Sequence, residues 1–88
     1  MSCTVRIASP LHSYTAGHAA VEGHGATLAE VLADLERRFP GIRFRMIDEQ
    51  NRIRPHLQLF VNTAQARDLS AAVGGGDTVH VICALSGG

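Results

Sequence analysis

The chain contains no lysine and no tryptophan; its eight basic residues are all arginine, and its aromatic residues are three phenylalanines and one tyrosine. Without a side-chain amine it cannot build isopeptide-linked chains on itself; it can only donate its C-terminus elsewhere. The eight basic residues are balanced by eight acidic ones, giving a net charge of zero. That balance lacks the electrostatic footprint needed for nucleic acid or an anionic membrane, and neither is expected as a partner. Long apolar runs are missing too: the longest, Val81 to Leu85, falls well short of a membrane span. The opening Met1-Ser2-Cys3-Thr4-Val5-Arg6 has no basic region followed by an apolar stretch, so no secretion signal is expected. Cysteine is scarce. Cys3 and Cys83 sit at opposite ends with no CxxC spacing, which suggests reduced thiols and a cytoplasmic setting.

What remains is enough for one small folded domain of 88 residues. Cys3 to Ser9 alternates, with Cys3, Val5 and Ile7 on one face, and reads as a half-buried strand stopped by Pro10. Ser13 to Gly17 reads as a turn and Ala19 to Glu22 as a short second strand, completing a hairpin. Thr27 followed by Glu30 fits a capping box. Leu28, Val31, Leu32, Leu35 and Phe39 then recur on one helical stripe. Arg37 and Arg38 fall in its last turn, where the helix dipole favours cations, and Pro40-Gly41 ends it. Ile42 to Ile47 fits either a short strand or a helical turn. Residues 48–51 form a polar loop, and His56 to Asn62 alternates again with Leu57, Leu59 and Val61 to one side. Gly74 to Asp77 reads as a turn before a last strand, Thr78 to Leu85.

Assembled, this is an α+β domain over residues 1–85: a mixed sheet of four to five strands carrying one main helix, with a flexible tail at 86–88. The two terminal strands are the most apolar and suit central positions. The helix supplies the right-handed crossover that lets them lie parallel. That arrangement is the β-grasp, or ubiquitin-like, fold.

The C-terminus is where residue choice looks chemical. Leu85 is followed by Ser86-Gly87-Gly88, and a tail without side chains at its tip can thread a channel too narrow for any other residue. Its free carboxylate could then be presented inside a partner's active site, where attack on ATP would give an acyl-adenylate that sulfur can displace. A docking face is expected as well. Phe60 points away from Leu57, Leu59 and Val61, so it belongs on the open side of the sheet with His80 and Ile82 of the last strand. An aromatic beside aliphatic neighbours suits a partner-binding hot spot.

Other motifs carry little. Gly23-x-Gly25 precedes the helix, but the third glycine position of a dinucleotide fingerprint is occupied by Leu28 and no acidic residue supports it. Gly74-Gly75-Gly76 has no helix after it to bind phosphate. The histidines at 12, 18, 24, 56 and 80 show no metal spacing, and none is expected to hold a metal. Cys83, next to Val81, reads as a small buried hydrophobe rather than a persulfide carrier. Asp34 and Arg38, four apart, read as a solvated helix pair.

The segments Ala26 to Leu32, Phe39-Pro40-Gly41, Arg54-Pro55-His56, Phe60-Val61-Asn62, Gly76-Asp77 and the terminal Gly87-Gly88, taken in order, resemble the MoaD/ThiS family of ubiquitin-like sulfur carriers along essentially the whole chain. The polar loop at 48–51 is closer to MoaD and the cysteine-biosynthesis carriers than to the shorter thiamin-pathway ones. The family's usual Pro-Ala-Val-Ala before Gly-Gly is replaced by Cys83-Ala84-Leu85-Ser86, and Thr63 replaces a common glycine. The resemblance implies a carrier, not an enzyme, with no bound cofactor. It implies adenylation of Gly88 by an E1-like, MoeB/ThiF-type adenylyltransferase that uses ATP, with Gly87 and Ser86 threading the tail. A rhodanese or cysteine desulfurase would supply sulfur, and a synthase of molybdopterin or cysteine type would accept it from the thiocarboxylate. Two other readings stay open: a protein modifier conjugated through Gly88, and a β-grasp interaction subunit with an inert tail.

Overall fold

The computed structural model describes residues 2–83. Strand β1 (Ser2–Arg6) pairs antiparallel with β2 (Ala20–His24), and the chain then crosses the sheet through helix α1 (Leu28–Arg38) and the short helix α2 (Ile42–Met46). Strands β3 (Leu57–Val61) and β4 (Ala64–Ala66) form a second hairpin, and β5 (Thr78–Cys83) closes the sheet in the order β2-β1-β5-β3-β4. Strands β1 and β5 lie parallel at its centre, as the apolar terminal strands and the helical crossover predict.

Alternation sets the two faces of the sheet. Cys3, Val5, Leu57, Leu59, Val79 and Val81 point to one side and are buried against Leu28, Val31, Leu32 and Leu35 of α1. Helix α1 begins where the sequence predicts. Thr27 Oγ1 accepts the N–H of Glu30 at 3.3 Å, but Glu30 reaches one residue further back than an ideal capping box, accepting from Ala26 N at 2.8 Å. The carbonyls of Ala71 and Leu69 take the N–H groups of Leu28 and Ala29, both at 3.0 Å, so the first turn is satisfied from across the fold.

Several boundaries differ from the sequence reading. β1 ends at Arg6, and Pro10, instead of merely stopping a strand, sits in the first turn of a 3-10 helix over Ser9–Thr15, where its fixed φ fits and no N–H is missed. The hydroxyl of Thr15, buried at the end of that helix, donates to His18 O at 2.7 Å. β2 extends to His24 because Gly23 lets α1 close on the sheet: a Cβ there would lie 2.9 Å from Val5 and 3.0 Å from Val31. Ile42 to Met46 is helical, with Ile42 and Met46, four apart, both turned inward. β4 is too short to show as alternation. It follows the two-residue turn Asn62-Thr63, where Asn62 adopts φ +56°.

Asp34 departs most from expectation. Its carboxylate is 6% exposed, not solvated. It accepts from Arg37, from Arg38 at 2.9 Å and from the backbone N–H of His24 at 3.2 Å, and Arg38 also donates to the Glu22 carbonyl. The pair therefore fastens α1 to β2.

Candidate functional site

β5 is the central strand of the sheet and leads towards the C-terminal residues singled out by the sequence. Running between β1 and β3, it buries Val79 and Val81 and turns His80 and Ile82 to the opposite, helix-free face. Register then assembles a row across that face: Ala20 of β2 lies beside Arg6 of β1, Arg6 beside His80, His80 beside Phe60 of β3, and Phe60 beside Gln65 of β4. Ile82, 43% exposed, lies opposite Gln58. The sheet thus brings Phe60, His80 and Ile82 together on one face. Phe60 is half-buried rather than fully open, because His80 and Gln65 flank it.

Cys83, the last described residue, pairs with Leu57, immediately after the Arg54-Pro55-His56 segment that leads into β3. Ser86, Gly87 and Gly88, the tail residues singled out by sequence, lie outside the described residues, as does the expected boundary at 85/86. Cys83 itself is half-buried, and burial pushes its thiol above the ordinary range. Cys3 is raised as well, chiefly by burial and secondarily by the charge of Asp77. Neither is poised as a thiolate nucleophile.

Beside the exit of β5 lies a group that periodicity does not reveal. Phe44, on the outer side of α2, is 58% exposed, and the guanidinium of Arg54 sits over its ring at 4.5 Å. Arg54 Nε also donates to the Phe44 carbonyl at 2.7 Å. The guanidinium of Arg45 stands 5.7 Å from the Tyr14 ring, and its Nε donates to the Tyr14 hydroxyl at 2.6 Å. Phe44, Arg45, Arg54 and His56 line one shallow cleft. The available signal was the spacing of Arg43, Arg45, Arg52 and Arg54, half of the chain's arginines within twelve positions. It became legible only once Ile42–Met46 proved helical.

At the far end of β5, Asp77 accepts Gly74 N at 2.8 Å and Asn62 Nδ2 at 3.1 Å, and these bonds hold its carboxyl below the usual carboxylate range. The glycine run before it is a turn closed by this side chain. Among the described residues, no group of three or more His, Cys, Asp or Glu could hold a metal ion, and no helix is long and apolar enough to cross a membrane.

This geometry has close counterparts. The sulfur carrier protein CysO of Mycobacterium tuberculosis is 33% identical over 93 residues, spanning the whole of both chains. Among solved structures, CysO of Amycolatopsis orientalis, crystallised in complex with BexX, matches with a TM-score of 0.91 at 35% identity, covering 98% of this chain and 99% of that one. Crystalline M. tuberculosis CysO matches with a TM-score of 0.90 at 31% identity, covering 94% and 99% respectively. Residues 5–88 match the ThiS family. With a ubiquitin-like sheet, a parallel central strand pair and a match along nearly its full length, this chain belongs to the ThiS family.

Proposed function

We propose that this protein is a sulfur carrier whose reactive group is the Gly88 carboxylate. An E1-like adenylyltransferase joins that carboxylate to the α-phosphate of ATP, releasing pyrophosphate and leaving an acyl-adenylate. Sulfide displaces AMP and leaves the tail as a thiocarboxylate directly. A persulfide on a sulfurtransferase instead displaces AMP to give an acyl disulfide, which a thiol then cleaves, taking the sulfurtransferase sulfur into a disulfide and releasing the thiocarboxylate. The thiocarboxylate then surrenders its sulfur to an acceptor in metabolite biosynthesis. The cysteine-type branch is favoured over the molybdopterin type because the full-length likeness lies with CysO carriers. The chain supplies no catalytic group. It presents a tail, and ATP binds to the partner.

The observation that carries this reading is the match to a sulfur carrier along the whole of its own length, in a chain that itself ends in Gly87-Gly88. The direction of β5 agrees with it, since a central strand anchored on both sides gives the tail a firm root. The open face bearing Phe60, His80 and Ile82 is the proposed docking surface for the adenylyltransferase. That the Amycolatopsis relative was captured together with BexX agrees with a carrier that works by docking on other proteins.

The test is intact-mass spectrometry of the full chain after incubation with ATP, a sulfur source and the adenylyltransferase of the same organism. Replacement of one oxygen by sulfur, localised to Gly88 and absent when Gly88 is deleted, is the expected result. An unchanged mass beside a demonstrably active adenylyltransferase would leave the chain an interaction module with an inert tail. Higher-mass protein conjugates in place of the thiocarboxylate would make it a modifier.

A further inference from the structure

We propose that Arg45 and Arg54, in the cleft they share with His56, form a cationic collar at the root of the tail, which docks on an acidic surface around the entrance of the adenylyltransferase channel. This rests on the carrier reading and names a second contact for the same partner.

Position is the first argument. The N–H of Leu57, the residue paired with Cys83, donates to Arg54 O at 2.9 Å, so the collar is tied to the last described residue of β5. His56, in the turn that opens β3, immediately precedes Leu57 and lines the same cleft as Arg45 and Arg54.

Availability is the second. Arg37, Arg38 and Arg52 are engaged with carboxylates, whereas among the described residues neither Arg45 nor Arg54 forms an ion pair. Asp48 accepts the backbone N–H groups of Arg52 and Gln50 and pairs with the Arg52 side chain at 3.4 Å, and these bonds, helped by the charge of Arg54, hold its carboxyl below the usual range. Arg45 and Arg54 each spend their Nε on a neighbouring oxygen and rest on an aromatic face. That leaves the outer guanidinium nitrogens as a fixed fork for carboxylates, at low entropic cost to a partner.

Reach is the third, and it selects the occupant. Five residues, Ala84 to Gly88, follow Cys83, and a chain of that length spans at most about 17 Å. A tail threaded through a narrow channel is extended, so its tip and any phosphate on it lie far beyond the collar. The anion that meets Arg45 and Arg54 must therefore belong to the protein surface at the channel mouth. The neutral net charge does not suit a nucleic-acid site.

The experiment measures the Kd of the full chain for its adenylyltransferase at low and high salt, beside the rate of thiocarboxylate formation. For the wild type, affinity should fall as salt rises, mainly through a slower association rate. An Arg45→Gln/Arg54→Gln double variant should weaken binding at least tenfold at low salt and flatten the salt dependence. The Arg45→Lys/Arg54→Lys variant, which keeps charge but loses the fork, should retain the salt dependence. Should the glutamine variant melt early, the wild-type salt dependence and the lysine variant decide the matter. A wild type that binds and is sulfurated with salt-independent affinity, or a folded glutamine variant that binds as tightly, overturns the collar and leaves the carrier reading standing. A wild type that neither binds the adenylyltransferase nor gains sulfur removes both.

Discussion

Arg38 reaches back 2.9 Å to the carboxylate of Asp34, a group only 6% exposed that also accepts from Arg37 and from the backbone of β2. Burial alone would raise the pKa of Asp34. The bonds from Arg37 and Arg38, joined by the His24 N–H, outweigh it and hold the carboxyl below its ordinary range. A folded-state pKa below the unfolded one means that this stabilisation is present above the unfolded value, near about 3.9, and is lost as pH falls through the folded one. Asp34→Asn should cost about 1–2 kcal/mol at neutral pH, since it weakens charged hydrogen bonds whose arginine partners remain partly solvated. In a domain of this size that corresponds to roughly 5–15 °C in melting temperature. The gap between wild type and variant should shrink as pH falls from about 5 towards 3. Parallel melting curves across that range would refute the assignment.

Phe60 and His80 lie side by side on the helix-free face, both half-buried, with Gln65 on the far side of Phe60 and Arg6 on the far side of His80. Phe60→Ala should weaken binding to the adenylyltransferase by about 30-fold, the effect of losing one hot-spot aromatic. Its melting temperature should change little, because the buried cluster lies on the other side of the sheet. A large thermal loss with unchanged binding would make Phe60 a packing residue and remove it from the interface.

The Gly23-x-Gly25 motif has a packing explanation. A Cβ on Gly25 would lie 2.6 Å from the Cβ of Glu30 and 2.7 Å from Val31 N, and backbone in the first turn of α1 cannot yield cheaply. Gly25→Ala should therefore destabilise by about 1–3 kcal/mol in urea titration. Gly17→Ala is the control: it also has positive φ, +84°, but meets nothing within 4 Å. Equal losses for the two would mean that backbone conformation, not contact, sets the cost.

Asn62 holds the β3–β4 turn against the start of β5. Its side chain donates to Asp77 Oδ1 at 3.1 Å and accepts Thr78 N at 3.0 Å, and its backbone has φ +56°. Asn62→Ala loses both bonds and keeps an unfavourable backbone, for about 1–3 kcal/mol. Asn62→Gly relieves the backbone but not the bonds, so its urea midpoint should fall between those of alanine and wild type. A glycine variant as stable as wild type would leave the two side-chain bonds without measurable value.

Local signals carried much of the architecture. The alternation at Cys3, Val5 and Ile7, the stripe from Leu28 to Leu35 and the Thr27 cap each arise from the period of the element itself, and each lies where its period put it. Even the parallel pairing of β1 with β5 was legible, because chain order and crossover handedness leave few alternatives. The diglycine at 87–88 is plain in the sequence, and the carrier role proposed for it rests on that and on the full-length match to CysO.

Tertiary structure decided whatever depends on long-range neighbours. Whether Asp34 is solvated turned on β2 approaching α1 at Gly23, and no i to i+4 spacing encodes that approach. Six residues at Ile42–Ile47 suit helix or strand equally by propensity, and the burial of Ile42 and Met46 settled the choice. Only then did Phe44 and Arg45 turn outward, and Arg54, ten positions along the chain, come to rest on the Phe44 ring. The sequence by itself determined the fold, through periodicity and connectivity, and the residues at the tail's tip. The surroundings of the tail's root belong to the tertiary structure alone, because they join side chains from Tyr14, α2 and the entry to β3 that share no period.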